Sequence, residues 1–232
     1  MILGIIQGRM TSTRLPGKVL ADVEGMPMIG RQIERLRRSK HLDVLILATS
    51  HETSDNPLAD YVASLGMPVV RGPLGDVLAR FALAVDAFPL AQTVVRLTAD
   101  CPLTDWRVLD ALLRRRAATD ADYANNTMPQ QTFPHGLDVE AMKVSALRAA
   151  ILQATEPYDR EHVTPYLYRN PDQFKLETLR REPSLADLRW TVDYPDDLVF
   201  VRHVYRTLLA DKPDFGTADI AALDWNSSRA EL

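Results

Sequence analysis

The sequence predicts an α/β protein with a mostly parallel central sheet, and three observations carry that expectation. Short apolar, β-branched runs alternate with longer segments of helical periodicity, the mark of βαβ units covered on both faces. Each run ends in polar or glycine-containing turn residues. A chain of 232 residues, 46% hydrophobic and 25% charged, can bury a substantial core, which excludes a disordered class and fits one domain over residues 1–232.

Strands are expected at 2–6, 44–48, 68–70 and 93–97. Helices should fill the gaps: at 28–38, where Ile29, Ile33 and Leu36 recur at helical spacing, and at 58–65, 76–88 and 106–117. The second half is less regular, with shorter candidate strands at 122–124 and 137–141 and helices at 144–153 and 195–209. An open α/β sheet binds ligands beyond the carboxyl ends of its strands, so residues 7–18, 49–54, 71–76 and 98–102 are where chemistry should collect.

A net charge of -4 argues against a general phosphate-backbone binder, so nucleic acid is not an expected partner. Cys101 is the single cysteine, which excludes an intrachain disulfide or a thiolate zinc cluster and suits a reducing compartment. The apolar start, 1–6, turns polar at Gln7, far short of a signal-peptide core or membrane span, so a cytoplasmic protein without a membrane partner is expected.

Residues 8–18 combine Arg9, Arg14 and Lys18 with the hydroxyls of Thr11, Ser12 and Thr13 and two glycines, directly after a buried strand. That mixture suits a polyphosphate: amides and hydroxyls cradle oxygens while the cations make charge-assisted bonds. Neither the Walker spacing nor a dinucleotide-binding glycine turn is present. Composition alone equally fits a solvated loop whose arginines pair with nearby acids. The order Ile5-Ile6-Gln7-Gly8-Arg9-Met10-Thr11-Ser12-Thr13-Arg14-Leu15-Pro16-Gly17-Lys18 closely resembles the signature loop of bacterial sugar cytidylyltransferases. That group includes the 3-deoxy-manno-octulosonate and acylneuraminate enzymes and the branch of spore coat polysaccharide biosynthesis protein F. The resemblance continues through 47–50, 71–72, 76–81, 95–103, 133–140, 160–166 and 189–198, most of the chain. It departs at Gly8, where alanine is usual, and at Thr11, where glycine or serine is.

The resemblance implies a three-layer α/β/α nucleotide-diphospho-sugar transferase fold with a Rossmann-like sheet, binding CTP through a half at about 1–104 and an acceptor sugar mainly through about 105–232. It also implies a homodimer. Arg9, Ser12, Arg14 and Lys18 then map onto triphosphate positions, Gln7, Gly8 and Thr49 join the nucleotide site, and Arg71 lies near the base.

Nucleotidyl transfer needs a hard cation on phosphate oxygens, held by one or two carboxylates. Asp100, at the end of the fourth strand, and Asp193, in a Val-Asp-x-Pro sequence like that of the octulosonate enzymes, are the Mg²⁺ ligands the resemblance implies; their structural alternatives are a turn before proline and a helix cap. Asp196 and Asp197 read as acids in a helix's first turn. His135, Asp138 and Glu140 form a polar group in which alternation places the two acids on one strand face, suited to sugar hydroxyls. Arg160 and His162 could hold a sugar acid or merely be structural. The basic runs at 35–40 and 114–116 read as solvated helix faces.

The expected reaction is attack of a sugar hydroxyl, with a nonulosonic or octulosonic acid implied, on the α-phosphate of CTP, with Arg14, Lys18 and Asp100 as catalytic groups. Another nucleoside triphosphate as donor, a glycosyltransferase and a noncatalytic nucleotide-binding protein are the competing readings.

Overall fold

The computed structural model describes residues 1–223. The strands are β1 (Ile2–Gln7), β2 (Asp22–Val23), β3 (Met26–Pro27), β4 (Val44–Ser50), β5 (Val69–Gly72), β6 (Thr93–Thr98), β7 (Tyr123–Asn125), β8 (Glu140–Lys143) and β9 (Leu176–Thr178). The helices are α1 (Met28–Leu36), α2 (Asn56–Ser64), α3 (Val77–Ala87), α4 (Trp106–Thr119), α5 (Val144–Gln153), α6 (Pro157–His162), α7 (Pro165–Arg169), α8 (Pro195–Leu208) and α9 (Thr217–Ala221).

Seven strands form one sheet in the order β5-β4-β1-β6-β8-β7-β9, and β2 and β3 make a separate hairpin. Strands β5, β4, β1 and β6 are mutually parallel. β8 is antiparallel to both β6 and β7, and β9 is parallel to β7. β8 is therefore the one strand of this sheet that runs against the others, and its first residue, Glu140, lies at the edge where the parallel strands end.

Alternation along the strands explains the layering. Leu3, Ile5, Ile46, Ala48 and Val94 point to one face and pack with Phe81 of α3 and Leu147 of α5. Ile6, Leu47, Val95 and Leu97 point to the other and pack with Ile33 of α1, Leu58 of α2 and Leu112 of α4. The result is the expected α/β/α sandwich. A third apolar cluster joins Val201 and Tyr205 of α8 to Phe133, Leu137, Trp190 and Val192, and it holds the 133–139 and 190–193 segments beside the sheet edge.

Boundaries shift where sequence periodicity is short. The strand expected at 137–141 begins at Glu140, because ladder pairing starts where Glu140 meets Arg96; Asp138 thus precedes the strand instead of lying on it. The third strand runs on to Gly72 and includes Arg71. No helix among the described residues is long and apolar enough to cross a membrane.

Candidate active site

The loop after β1 closes one side of a cleft of about 480 Å³ at the carboxyl edge of the sheet. Its path is set by few contacts. The Met10 amide donates to Asp55 Oδ1 at 2.7 Å, and the Met10 carbonyl accepts from Ser12 at 3.0 Å and Gly17 at 2.9 Å. Gly17 has φ 73°, the left-handed turn that glycine adopts at no steric cost, and directs Lys18 inward. Asp55 is fully buried and also accepts from Thr49 Oγ1 at 3.0 Å and from the Ser50 amide and hydroxyl. Burial opposes its charge, but the bonds from Ser50, Met10 and Thr49 outweigh burial and lower its pKa. Thr49, expected at the nucleotide, thus supports the loop through Asp55. A Cβ at Gly8 would lie 2.8 Å from that of Ala99, so Ala99 fills the space an alanine at position 8 would take.

Lys18 is the hub. Its side chain is 9% exposed, and Nζ donates to Val192 O at 2.6 Å and Asp193 Oδ1 at 3.0 Å, with Asp100 Oδ2 at 3.6 Å. The Val192 amide donates to Asp100 O at 2.8 Å and Thr191 Oγ1 to the same carbonyl at 3.2 Å, which stitches the 190–193 segment to the end of β6. Gly136, at φ +100°, permits this crossing, since a Cβ there would meet Thr191 N at 2.5 Å.

Asp193 does not cap α8. Asp197, in the helix's first turn, reaches back, and its Oδ2 accepts from the amides of Asp193 at 2.7 Å and Tyr194 at 2.9 Å. The Asp193 carboxylate instead meets three cations: Arg14 and Lys18 on Oδ1, and Arg189 on Oδ2 at 2.7 Å. Burial pushes its pKa up, yet hydrogen bonds from Arg189, Lys18 and Arg14 hold it at about 2. Arg14 also stacks on Tyr194, 5.3 Å from the ring centroid.

Asp100 and Asp193 thus converge on one ammonium, giving the hard oxygen donors that suit a magnesium ion completed by phosphate oxygens and water. Among the described residues no group of three or more His, Cys, Asp or Glu forms a protein-only metal cage. The pair fits an ion that needs substrate to finish its shell.

Two cations of the cleft lack a neutralising carboxylate contact. Arg9 is exposed and makes no ion pair among the described residues. Arg80, on α3, is 3% exposed, donates from Nη1 to Ala48 O at 3.2 Å and leaves Nε without a partner. Burial, then the charge of Arg9, lowers the Arg80 pKa. Two such cations in one cleft favour an anion between them. Arg80 and Asp55 were missed from sequence. The signal for Arg80 was a cation inside the apolar stripe of Val77, Phe81 and Ala84.

The other expected residues divide. Gln7, Gly8, Arg9, Ser12, Arg14, Lys18, Asp100, His162 and Asp193 line the cleft. Arg71 turns away: its guanidinium is bound by Ser50 O, Asn56 Oδ1 and Glu52 O. Arg160 is bound to Asp76, the cap of α3, at 2.7 Å and to Ala154 O. His135 is exposed, with its backbone paired to Leu188 and Trp190. Asp138 and Glu140 line a neighbouring hollow of about 210 Å³ that shares His162 with the cleft. Asp120 and Asp122, the nearest approach to an Asp-x-Asp metal motif, are engaged by Lys143 at 2.9 and 3.0 Å.

A parallel sheet with a cation-rich loop and two converging carboxylates at its carboxyl edge defines a nucleotidyltransferase-type α/β protein. The profile of the Cytidylyltransferase family matches residues 3–204, and the chain belongs to that family. It is 38% identical over 198 residues to protein MJ1063 of Methanocaldococcus jannaschii, covering 83% of this chain and 78% of the relative. It is 30% identical over 229 residues to the spore coat polysaccharide biosynthesis protein SpsF of Bacillus subtilis, covering 96% and 93%. Among solved structures, a cytidylyltransferase from Leptospira borgpetersenii superposes with a TM-score of 0.91 at 28% identity, covering 98% of this chain and 95% of that one. A CMP-2-keto-3-deoxy-manno-octonic acid synthetase complexed with CTP shares the fold, with a TM-score of 0.67 at 19% identity over 89% and 98%.

Proposed function

We propose that this chain is a Mg²⁺-dependent cytidylyltransferase that joins CMP from CTP to a sugar hydroxyl and releases pyrophosphate. The observation that carries the reading is Lys18 Nζ set between Asp193 and Asp100, with the unneutralised Arg9 and Arg80 facing the same cleft. Membership of the family and the CTP complex of the synthetase sharing its fold support cytidine as the donor base.

The sugar oxygen forms a bond to the α-phosphorus, the bond from that phosphorus to the bridging oxygen breaks, and the hydroxyl proton leaves to solvent. No covalent enzyme intermediate is required. Arg9 and Arg80 draw the triphosphate in, while Arg14 and Lys18 neutralise charge that grows on pyrophosphate. Mg²⁺ on Asp100 and Asp193, when bound, would neutralise phosphate oxygens and help acidify the attacking hydroxyl. Asp193 pairs with Arg14 and so holds its guanidinium at the cleft; with Mg²⁺ on that carboxylate, Arg14 would be available to phosphate. Residues up to about 104 hold the nucleotide and those beyond it the acceptor. With Cys101 as its one cysteine and metabolite-sized substrates, the enzyme fits the cytoplasm, and the family resemblance supports a homodimer.

The test is thermal unfolding with CTP, UTP, GTP or ATP, each with Mg²⁺, because a ligand selective for the native state raises apparent stability. The expected result is a metal-dependent rise largest with CTP and weakened in Arg14→Ala. A rise with another nucleotide alone would change the donor; no rise with any would sink the reading.

A further inference from the structure

His162 is shared by the cleft and the hollow, and the chain holds it there by an unusual turn. Among the described residues other than glycine, Glu24, Asp120 and Val163 have positive φ. Asp120 takes the left-handed conformation at the end of α4, which a short polar residue tolerates. Val163 is different. Its φ of 70° and ψ of -52° fall outside that region, in a γ-turn closed by the Thr164 amide donating to His162 O at 2.8 Å. A β-branched side chain crowds its own backbone at positive φ, so this turn is strained.

The turn changes the direction in which neighbouring side chains point. Were α6 to continue, each side chain would rotate by about 100° from the last, and Thr164 would stand roughly 200° from His162, on the far side of the helix. The γ-turn instead lets His162 and Thr164 both line the hollow while Val163, between them, enters the core. Each end is fixed by neighbours. The Val163 amide donates to Asp159 O at 2.8 Å, Thr164 Oγ1 donates to Glu140 Oε1 at 2.6 Å, and Arg169 ties α7 to α6 by pairing with Asp159 at 3.0 Å. Arg169 also lies over the Tyr158 ring, 5.1 Å from its centroid, and that ring stacks on His162 with centroids 4.3 Å apart. Glycine would make the same turn without strain. What valine adds is a fully buried side chain in the apolar cluster that includes Phe81 of α3 and Leu167 of α7. Strain of this kind persists only where the surroundings over-determine the backbone, and it collects at reacting sites.

We propose that Val163 is a positioning residue for the transfer step: its buried side chain pins the strained turn and thereby fixes the His162 imidazole at the border of cleft and hollow. The inference rests on reading the cleft as the nucleotide site and the hollow as part of the acceptor side.

The test combines NMR of the histidine-labelled full chain with thermal unfolding, for wild type and the Val163→Gly, Val163→Ala and Val163→Ile variants, with His162→Gln assigning the ring signal. In wild type and Val163→Ile the His162 signal is expected away from the free-histidine position, displaced by the Tyr158 ring. It should move again when Mg²⁺ and cytidine α,β-methylene triphosphate, whose bridging carbon prevents transfer, fill the cleft. In Val163→Gly it should return toward the free position and lose that response, while the Kd of the analogue stays within about twofold. Glycine releases strain that alanine keeps, so Val163→Gly should unfold at least about 2 °C above Val163→Ala, the reverse of the usual order at a buried site. A wild-type signal already at the free position, an undisturbed signal in Val163→Gly, or a glycine variant that unfolds below the alanine one or does not fold, overturns the proposal. Resonances of the analogue report its own binding in the same tubes. No binding by wild type would sink the cytidine reading, whereas the ring signal without nucleotide still decides the role of Val163.

Discussion

Replacing Asp193 with asparagine tests whether the cation cluster is assembled around that carboxylate. In the folded chain its pKa lies at about 2 against an ordinary value of 3.8. At roughly 1.4 kcal/mol per pH unit, that difference corresponds to about 2 kcal/mol of stability. The side chain is only 13% exposed, so solvent screening takes little from the figure. Because the folded value is the lower one, the stabilisation is fully present above about pH 4 and is lost as pH falls through about 2. Asparagine also leaves Arg14, Lys18 and Arg189 facing one another, which adds to the loss. Urea unfolding of wild type and Asp193→Asn at pH 7, 5 and 3 should show a gap of about 2 kcal/mol at the two higher values and a smaller one at pH 3, with the denaturant slope unchanged. Equal stability at pH 7, or a gap that stays constant down to pH 3, would refute the argument.

Asp100 has looser contacts, 3.6 Å to Lys18 and 3.5 Å to the Cys101 thiol, so Asp100→Asn should lower kcat at least about a hundredfold while moving the unfolding midpoint by no more than about 2 °C. Near-normal steady-state turnover would remove Asp100 from the metal site. Arg80→Met replaces a buried cation with an unpartnered Nε by an apolar chain of similar length; its stability should hold or rise while the Kd for CTP rises about tenfold by calorimetry. Gly8→Ala should cost about 1 to 2 kcal/mol through contact with Ala99, and adding Ala99→Gly should recover most of it in a double-mutant cycle of urea unfolding.

Legibility in the sequence followed the length of the periodic signal. The four parallel strands and the helix at 144–153 were readable because apolar residues repeat over several turns or ladder positions. β2, β3 and β9 have two or three residues each, and α6, α7 and α9 no more than six, too few for a period to show. In the site, the loop cations were readable because strand, glycine and charge coincide within eleven positions. Asp55 looked like any polar loop residue, and only the fold reveals that one carboxylate gathers Thr49, Ser50 and Met10. Arg71 and Arg160 show the converse: a cation near a strand end gives no sign in the sequence that carbonyls and side chains of the chain itself, Ser50 O and Asn56 for Arg71 and Asp76 for Arg160, already bind it.

The reversal of β8 explains how the cleft and the neighbouring hollow come to share one edge of the sheet. Had β8 run parallel to β6, its last residue and not its first would face the cleft, and Lys143 would stand where Glu140 now stands. Running antiparallel, it brings Glu140 opposite Arg96 and carries Asp138 just beyond the ladder, into the hollow that both line. The parallel half meanwhile supplies Arg9, Arg14, Lys18 and Arg80 from the loop after β1 and from α3. The cleft thus sets four cations against Asp100, Glu161 and Asp193, while the hollow sets Arg96 against Asp138 and Glu140. His162 is the residue that lines both, so a group held in the hollow lies beside the cleft that Lys18 and Asp100 border.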